Sequence, residues 1–204
     1  MEDTEFPSEF DKNLIEYLKK NQYFKHWFSI NKTIPDDNQF TSIPYGLNYW
    51  TLSTQNYFGE PITSFEDQNA QLEKFNKNSI HFTKRKLLIY ANFHLNWTDG
   101  RYGNWRRNLV NILPKELVVY QETFREVKLI KMLEYSFVLS PFGNGLDCIR
   151  TFEALCLGCI VIIKKSKALD SETKLVLAGL NKCRRGLKPP DGVAPKAGAT
   201  TRRT

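Results

Sequence analysis

From Ser140 to Glu153 the chain reads SPFGNGLDCIRTFE, which places two glycines, an arginine and two acids in one short run. Gly143 and Gly145 can free backbone N–H groups for an anion, and Arg150 adds a charged donor in the first turn of the helix that follows. Glu153 lies three residues further on and shares a helical face with Arg150. Its carboxylate suits ribose or sugar hydroxyls as a hydrogen-bond acceptor. The chemistry these residue types offer is capture of a phosphate or pyrophosphate. The run is neither a dinucleotide fingerprint nor a Walker loop, because GNG is followed by Leu146 rather than by GxxG or GK[ST]. Without a ligand, the same residues would form a plain turn and an Arg150–Glu153 ion pair worth about 0.2–0.5 kcal/mol.

The flanking pattern supplies the elements that would position this run. Phe137–Ser140 is a short apolar run suited to a buried parallel strand, and Pro141, Gly143, Asn144 and Gly145 break it. Asp147 is the expected N-cap of a helix that ends at Gly158, and Cys159–Ile163 is a second β-branched run. Strand, crossover helix and strand imply a right-handed βαβ unit. Upstream, the pattern predicts a strand over 86–91, a helix over 101–112, a strand over 117–120 and a helix over 123–134. Such alternation marks a doubly wound α/β domain, a Rossmann-like parallel sheet with flanking helices. Ligands in such sheets sit beyond the carboxyl ends of the strands, so Asn92, Phe93 and His94 are expected on the same edge as Ser140.

The N-terminal part is less patterned. Phe10–Lys20 has the spacing of an amphipathic helix, Tyr23–Ser29 is dense in aromatics, and His26 within it reads as an ordinary satisfied histidine. Phe40–Leu47 reads as a strand ended by a Pro44 and Gly46 turn, Thr51–Glu66 as a loop, and Asp67–Lys77 as a polar surface helix. A short helix is expected at Ser171–Leu180.

The run SPFGNGLDCIRTFEALCLGCIVII closely resembles the donor-site motif of exostosin-like glycosyltransferases, of the branch seen in protists, algae and large viruses. Ser140, Pro141, Gly143, Asn144, Gly145, Asp147, Cys148, Arg150, Thr151, Glu153 and Ala154 match; Phe142 stands where the family has arginine and Ile149 where it has histidine. Trp27, Ile43, Pro44, Gly46, Leu47, Asn48 and Thr51 fit the family's passage from its acceptor-side domain to its donor domain. The resemblance implies the C-terminal, donor-binding half of a GT-B enzyme. Residues 1–50 would be a remnant of the acceptor-side domain and linker. Residues 51–180 would be the donor domain, incomplete at its C-terminal end, and 181–204 a basic disordered tail. It further implies inverting, metal-independent transfer of a hexose or pentose from a nucleotide sugar to a hydroxyl of a glycan or protein, without a cofactor, in a truncated or weakly active copy. The donor would lie on Ser140, Gly143, Asn144, Gly145, Asp147, Arg150 and Glu153, with Asn92 and either Arg106 or Arg107 holding the diphosphate. The catalytic base would come from the acceptor-side domain and is not identified. A non-catalytic α/β binding or interaction module is the alternative.

Composition narrows the classes. A hydrophobic content of 41% with 13% aromatics is ample for a packed core. The net charge of +7 is concentrated in 182–204, where seven lysines and arginines face only Asp191. A Pro-, Gly- and Ala-rich basic tail without aromatics predicts disorder rather than specific nucleic-acid binding. The longest apolar run, Ala154–Ile163, falls short of the ~18 residues of a membrane span, and the acidic start is unlike a signal peptide. By default this places the chain in the cytoplasm, with the Golgi lumen as the setting of eukaryotic relatives. Cys148, Cys156 and Cys159 read as reduced thiols in or beside a buried helix and strand, with no zinc set completed. Asn31 and Asn96 head N-x-[ST] triplets.

Overall fold

The structure, a computed structural model, describes residues 4–56, 60–95 and 103–164. In the N-terminal part, α1 (Lys12–Lys20) starts where Asp11 accepts a hydrogen bond from the Asn13 N–H at 2.8 Å. Strands β1 (Trp27–Ser29) and β2 (Phe40–Ser42) pair in parallel, with Trp27 opposite Phe40. The aromatic density of the sequence makes a small core of its own. Phe6, Ile15 and Phe40 are buried in it, with Phe10, Phe24 and Trp27 around them. The strand expected over Phe40–Leu47 stops early, because the Ile43 N–H makes the last bond, to the Ser29 carbonyl at 3.0 Å, and Pro44 has no N–H to continue. His26 is satisfied, its Nδ1–H donating to the Asn38 carbonyl at 3.1 Å while Nε2 meets the Thr41 hydroxyl at 2.8 Å.

Two helices lead into the sheet. The first, α2 (Tyr49–Thr54), occupies part of the expected loop. Its β-branched and aromatic residues are weak helix formers, but Asn48 caps the Thr51 N–H at 3.0 Å and Leu52 is buried, so tertiary packing overrides propensity. The second, α3 (Phe65–Lys77), is capped by Ser64 and lays Leu72 into the main core, where the sequence suggested a purely surface helix. Gln68 is also buried, its amide donating to the Tyr49 and Thr63 carbonyls at 3.0 and 2.9 Å.

The remaining elements alternate as expected: β3 (Lys86–Ala91), α4 (Gly103–Ile112), β4 (Val118–Tyr120), α5 (Arg125–Met132), β5 (Tyr135–Leu139), α6 (Ile149–Cys156) and β6 (Ile160–Ile162). The sheet is parallel throughout, in the order β4-β3-β5-β6. Leu72 of α3, Leu129 and Met132 of α5 and Ala154 of α6 pack with Tyr90 and Val138 in one core. Leu109 and Val110 of α4 pack in another, with Ala91 and Leu139. The fold is therefore α/β and Rossmann-like. Because β4 lies on one side of β3 and β5 on the other, the winding reverses between β3 and β5. No helix of the described residues is long and apolar enough to cross a membrane.

Past α6 the chain turns sharply. Gly158 has φ 73°, and Arg85 seals the helix end, donating to the Leu157 carbonyl at 2.9 Å and the Cys159 sulfur at 3.4 Å. Burial pushes the Cys159 thiol up to about 11 despite Arg85 beside it, so it stays protonated. Cys156, by contrast, is exposed. Gly158→Ala should lower stability by about 1–2 kcal/mol through the left-handed backbone alone, measured by urea unfolding.

Candidate functional site

The point where a doubly wound sheet reverses leaves a crevice outside the strand ends, since the crossovers on either side diverge there. Here it is bounded by Asn92 after β3 and by Ser140–Asp147 after β5. A cavity of about 870 Å³ opens at this place. Its walls are Asn92–His94, Arg106 of α4, Glu122–Arg125 and Lys128 around the start of α5, part of the loop and the first turn of α6, and parts of the linker between Tyr45 and Gln55.

Arg150 spans the reversal. Its Nε donates to the Asn92 carbonyl at 2.7 Å and its Nη1 to the Pro141 carbonyl at 3.3 Å, so one guanidinium ties both strand ends. The group lies 5.6 Å from the centre of the Phe93 ring. It is only half-buried. Its partners are uncharged acceptors: among the described residues Nη2 has no hydrogen-bond partner and no carboxylate neutralises the group. The Arg150–Glu153 ion pair, the alternative to a ligand site, does not form; Glu153 pairs with Arg125 and Lys128 instead.

Glu153 sits at the base of the cavity and is fully buried. Its oxygens accept from Arg125 Nε at 2.8 Å and Lys128 Nζ at 2.6 Å. Burial alone would raise its pKa, but Lys128 and Arg125 together more than reverse that and hold the carboxyl below its ordinary value. The acceptor expected to face a sugar is thus committed to joining α6 to α5. Arg125 also donates to Gln71 at 3.1 Å, and its N–H to Glu60 at 2.8 Å.

Of the two arginines weighed on α4, Arg106 reaches the cavity. It is buried, donating from Nε to the Phe142 carbonyl at 2.8 Å and from Nη1 to the His94 carbonyl at 3.4 Å. Arg107 does not line the cavity and bonds Leu95 and Asn104 instead. The Phe142 ring packs with Leu146, Trp105 and Ile163, away from the cavity, and leaves the glycine bend open. Asn92 lines the cavity and fixes the next loop, its Nδ2 donating to the Thr123 hydroxyl at 2.8 Å. Gly143 and Asn144 line it too.

Ser140 and Gly145 do not line it. The Ser140 hydroxyl is 3.0 Å from that of Thr151 and 3.1 Å from the Cys148 sulfur, inside the βα turn. At Gly145 a Cβ would lie 2.4 Å from Asn31 Nδ2, so this glycine makes room for the N-terminal unit rather than for a ligand. Asp147 is not the N-cap; α6 begins one residue later, with Cys148 in that place. The Asp147 carboxylate accepts from the Tyr45 N–H at 2.9 Å, and its own N–H donates to Asn31 Oδ1 at 3.0 Å. Asn31, fully buried in this latch, is sterically closed to glycosylation in the folded state. Asn96, Ser171–Leu180 and the basic tail lie outside the described residues.

No family model matches the chain. It is 24% identical over 134 residues to the inner tegument protein of human herpesvirus 7 (strain JI), an alignment that covers 66% of this chain and 13% of that protein. At that identity and coverage the likeness does not assign a family.

The wall residues that the sequence did not single out, Phe124, Arg125, Lys128 and Glu122, follow β4. They were findable in principle, since every loop after a parallel strand emerges on the same edge. His94 Nδ1 hydrogen-bonds the Glu122 carboxylate there, and the Tyr120 hydroxyl donates to the Phe93 carbonyl at 2.6 Å. Burial and the nearby Glu122 raise the Tyr120 pKa, so that phenol remains a donor. Among the described residues no group of His, Cys, Asp and Glu is arranged to hold a metal ion.

Proposed function

We propose that the chain is the donor-binding part of an exostosin-like glycosyltransferase, and that the crevice between β3 and β5 takes a nucleotide sugar by its diphosphate. The observation that carries this is Arg150, a guanidinium fixed by two backbone carbonyls at the winding reversal, with no carboxylate partner among the described residues, on the wall of a cavity of about 870 Å³. A half-buried cation without a counter-ion favours an anionic ligand, because charge-assisted hydrogen bonds in a sheltered site are worth more than in water. Gly143 and Asn144 present the loop beside it, and Arg106 reaches the same wall. In transfer, these donors would stabilise the leaving nucleoside diphosphate while an acceptor hydroxyl of a glycan or protein attacks the anomeric carbon with inversion. The hydroxyl proton would pass to a base on the acceptor-side domain, as the family resemblance implies.

Calorimetric titration with UDP and GDP tests the reading: binding is expected, and its absence at millimolar nucleotide would remove it. Arg150→Ala should weaken binding about tenfold, the worth of one charge-assisted contact. An unchanged affinity would make Arg150 a clamp on the strand ends and nothing more.

A second reading, a non-catalytic interaction module, is favoured by one feature. Tyr23, Phe28 and Trp50 are 80%, 59% and 66% exposed in or near the aromatic N-terminal unit. Retention of a protein partner with no nucleotide affinity would support it.

A further inference from the structure

We infer that Phe124 is the platform on which the nucleobase of the ligand stacks, so that the site takes a nucleoside diphosphate group and not a sugar phosphate alone. This rests on the nucleotide-sugar reading and specifies it.

Phe124 immediately precedes α5 and lines the cavity, the residue being 68% exposed. Its side chain belongs to none of the apolar clusters of the described residues, so it stands open on the cavity wall. Its backbone, in contrast, is held on every side. Thr123 before it is bonded by Asn92, the Arg125 N–H after it is bonded by Glu60, and its own carbonyl accepts the Lys128 N–H at 2.9 Å. An aromatic face on a fixed backbone can stack a planar ring at small cost in conformational freedom.

Its place relative to the anion donor is set by a short chain of contacts. Arg150 Nε bonds the Asn92 carbonyl, Asn92 Nδ2 bonds Thr123, and Phe124 is the next residue. The cation and the open ring therefore stand on one continuous wall, joined through Asn92. A ligand with an anionic end and a flat aromatic end matches that wall; a nucleoside diphosphate has both. Stacking of this kind tolerates uracil and guanine alike, because either base offers a π face.

The test is calorimetric titration of the full chain with UDP, GDP and inorganic pyrophosphate, in the wild type and in Phe124→Ala and Phe124→Trp. Because the ring is exposed, neither substitution disturbs a packed core, and a matching thermal unfolding midpoint verifies this. Phe124→Ala should weaken UDP and GDP about tenfold and leave pyrophosphate within about twofold, while Phe124→Trp keeps or improves nucleotide affinity. Nucleotide affinity unchanged in Phe124→Ala, or an equal loss for pyrophosphate, would overturn the stacking role and leave the donor-site reading intact. Failure of all three probes to bind the wild type would remove both.

Discussion

Glu153→Ala is expected to lower the unfolding free energy by about 3–5 kcal/mol, the range for removing one partner from a buried ionic network. The Glu153 side chain is 1% exposed, and its two cations, Arg125 and Lys128, are only 16% and 15% exposed. Without the carboxylate, two positive groups face each other in a sheltered place with little water to solvate them. The packing of α5 on α6 loses its only charged tie among the described residues. Glu153→Gln keeps the volume and one acceptor oxygen but not the charge, and should fall between the two. Urea unfolding measures both; a loss below about 1 kcal/mol for alanine would show that the cations are already hydrated.

The same group gives a pH dependence of definite sign. Its folded pKa is depressed relative to the ordinary value of 4.5. The ion pair therefore contributes fully above about 4.5, and its contribution fades as pH falls through the lower, folded pKa. The stability gap between wild type and Glu153→Ala should be constant near neutrality and shrink on acidification below that value. A gap that widens in acid would contradict the direction of the shift.

The second large effect is expected at Gly145→Ala, about 3 kcal/mol, combining overpacking with loss of a buried hydrogen bond. The added methyl would lie 2.4 Å from Asn31 Nδ2 and 2.8 Å from its Cγ and Oδ1. Asn31 is itself fully buried, at φ 53°, and has little freedom to yield. Its displacement breaks the bond to the Asp147 N–H and loosens the N-terminal unit from the loop after β5. Limited proteolysis should then cut the linker near residues 43–48 well before the sheet. Adding Asn31→Gly to this variant should relieve the clash, since glycine accepts the positive φ and vacates the space, though the hydrogen bond stays lost. Equal proteolysis of wild type and Gly145→Ala would refute the latch.

The two halves of the chain differ in how much was readable. From residue 86 to 163, short apolar runs alternate with amphipathic ones, and each strand and helix predicted there is found within two residues of its place. That signal is local, because burial on both faces of a parallel sheet requires continuous apolar runs. At α2 the reading failed: Tyr49–Thr54 has no helical periodicity and is shaped by the Asn48 cap and the burial of Leu52. At α3 the polar surface hid Gln68 and Leu72, whose burial depends on what lies opposite.

Spacing along the chain determined that Asn92, the glycine bend and Arg150 meet at one sheet edge, since parallel strands with helical crossovers deliver all their following loops to the same side. It could not determine what each polar group does there, because a hydrogen-bonding side chain is claimed by whichever partner the three-dimensional packing brings nearest. Tertiary structure gave Glu153 to Arg125 and Lys128, Asp147 to Tyr45, and the space beside Gly145 to Asn31. It left Arg150 held by two carbonyls and the Cys148 sulfur, with no carboxylate partner among the described residues.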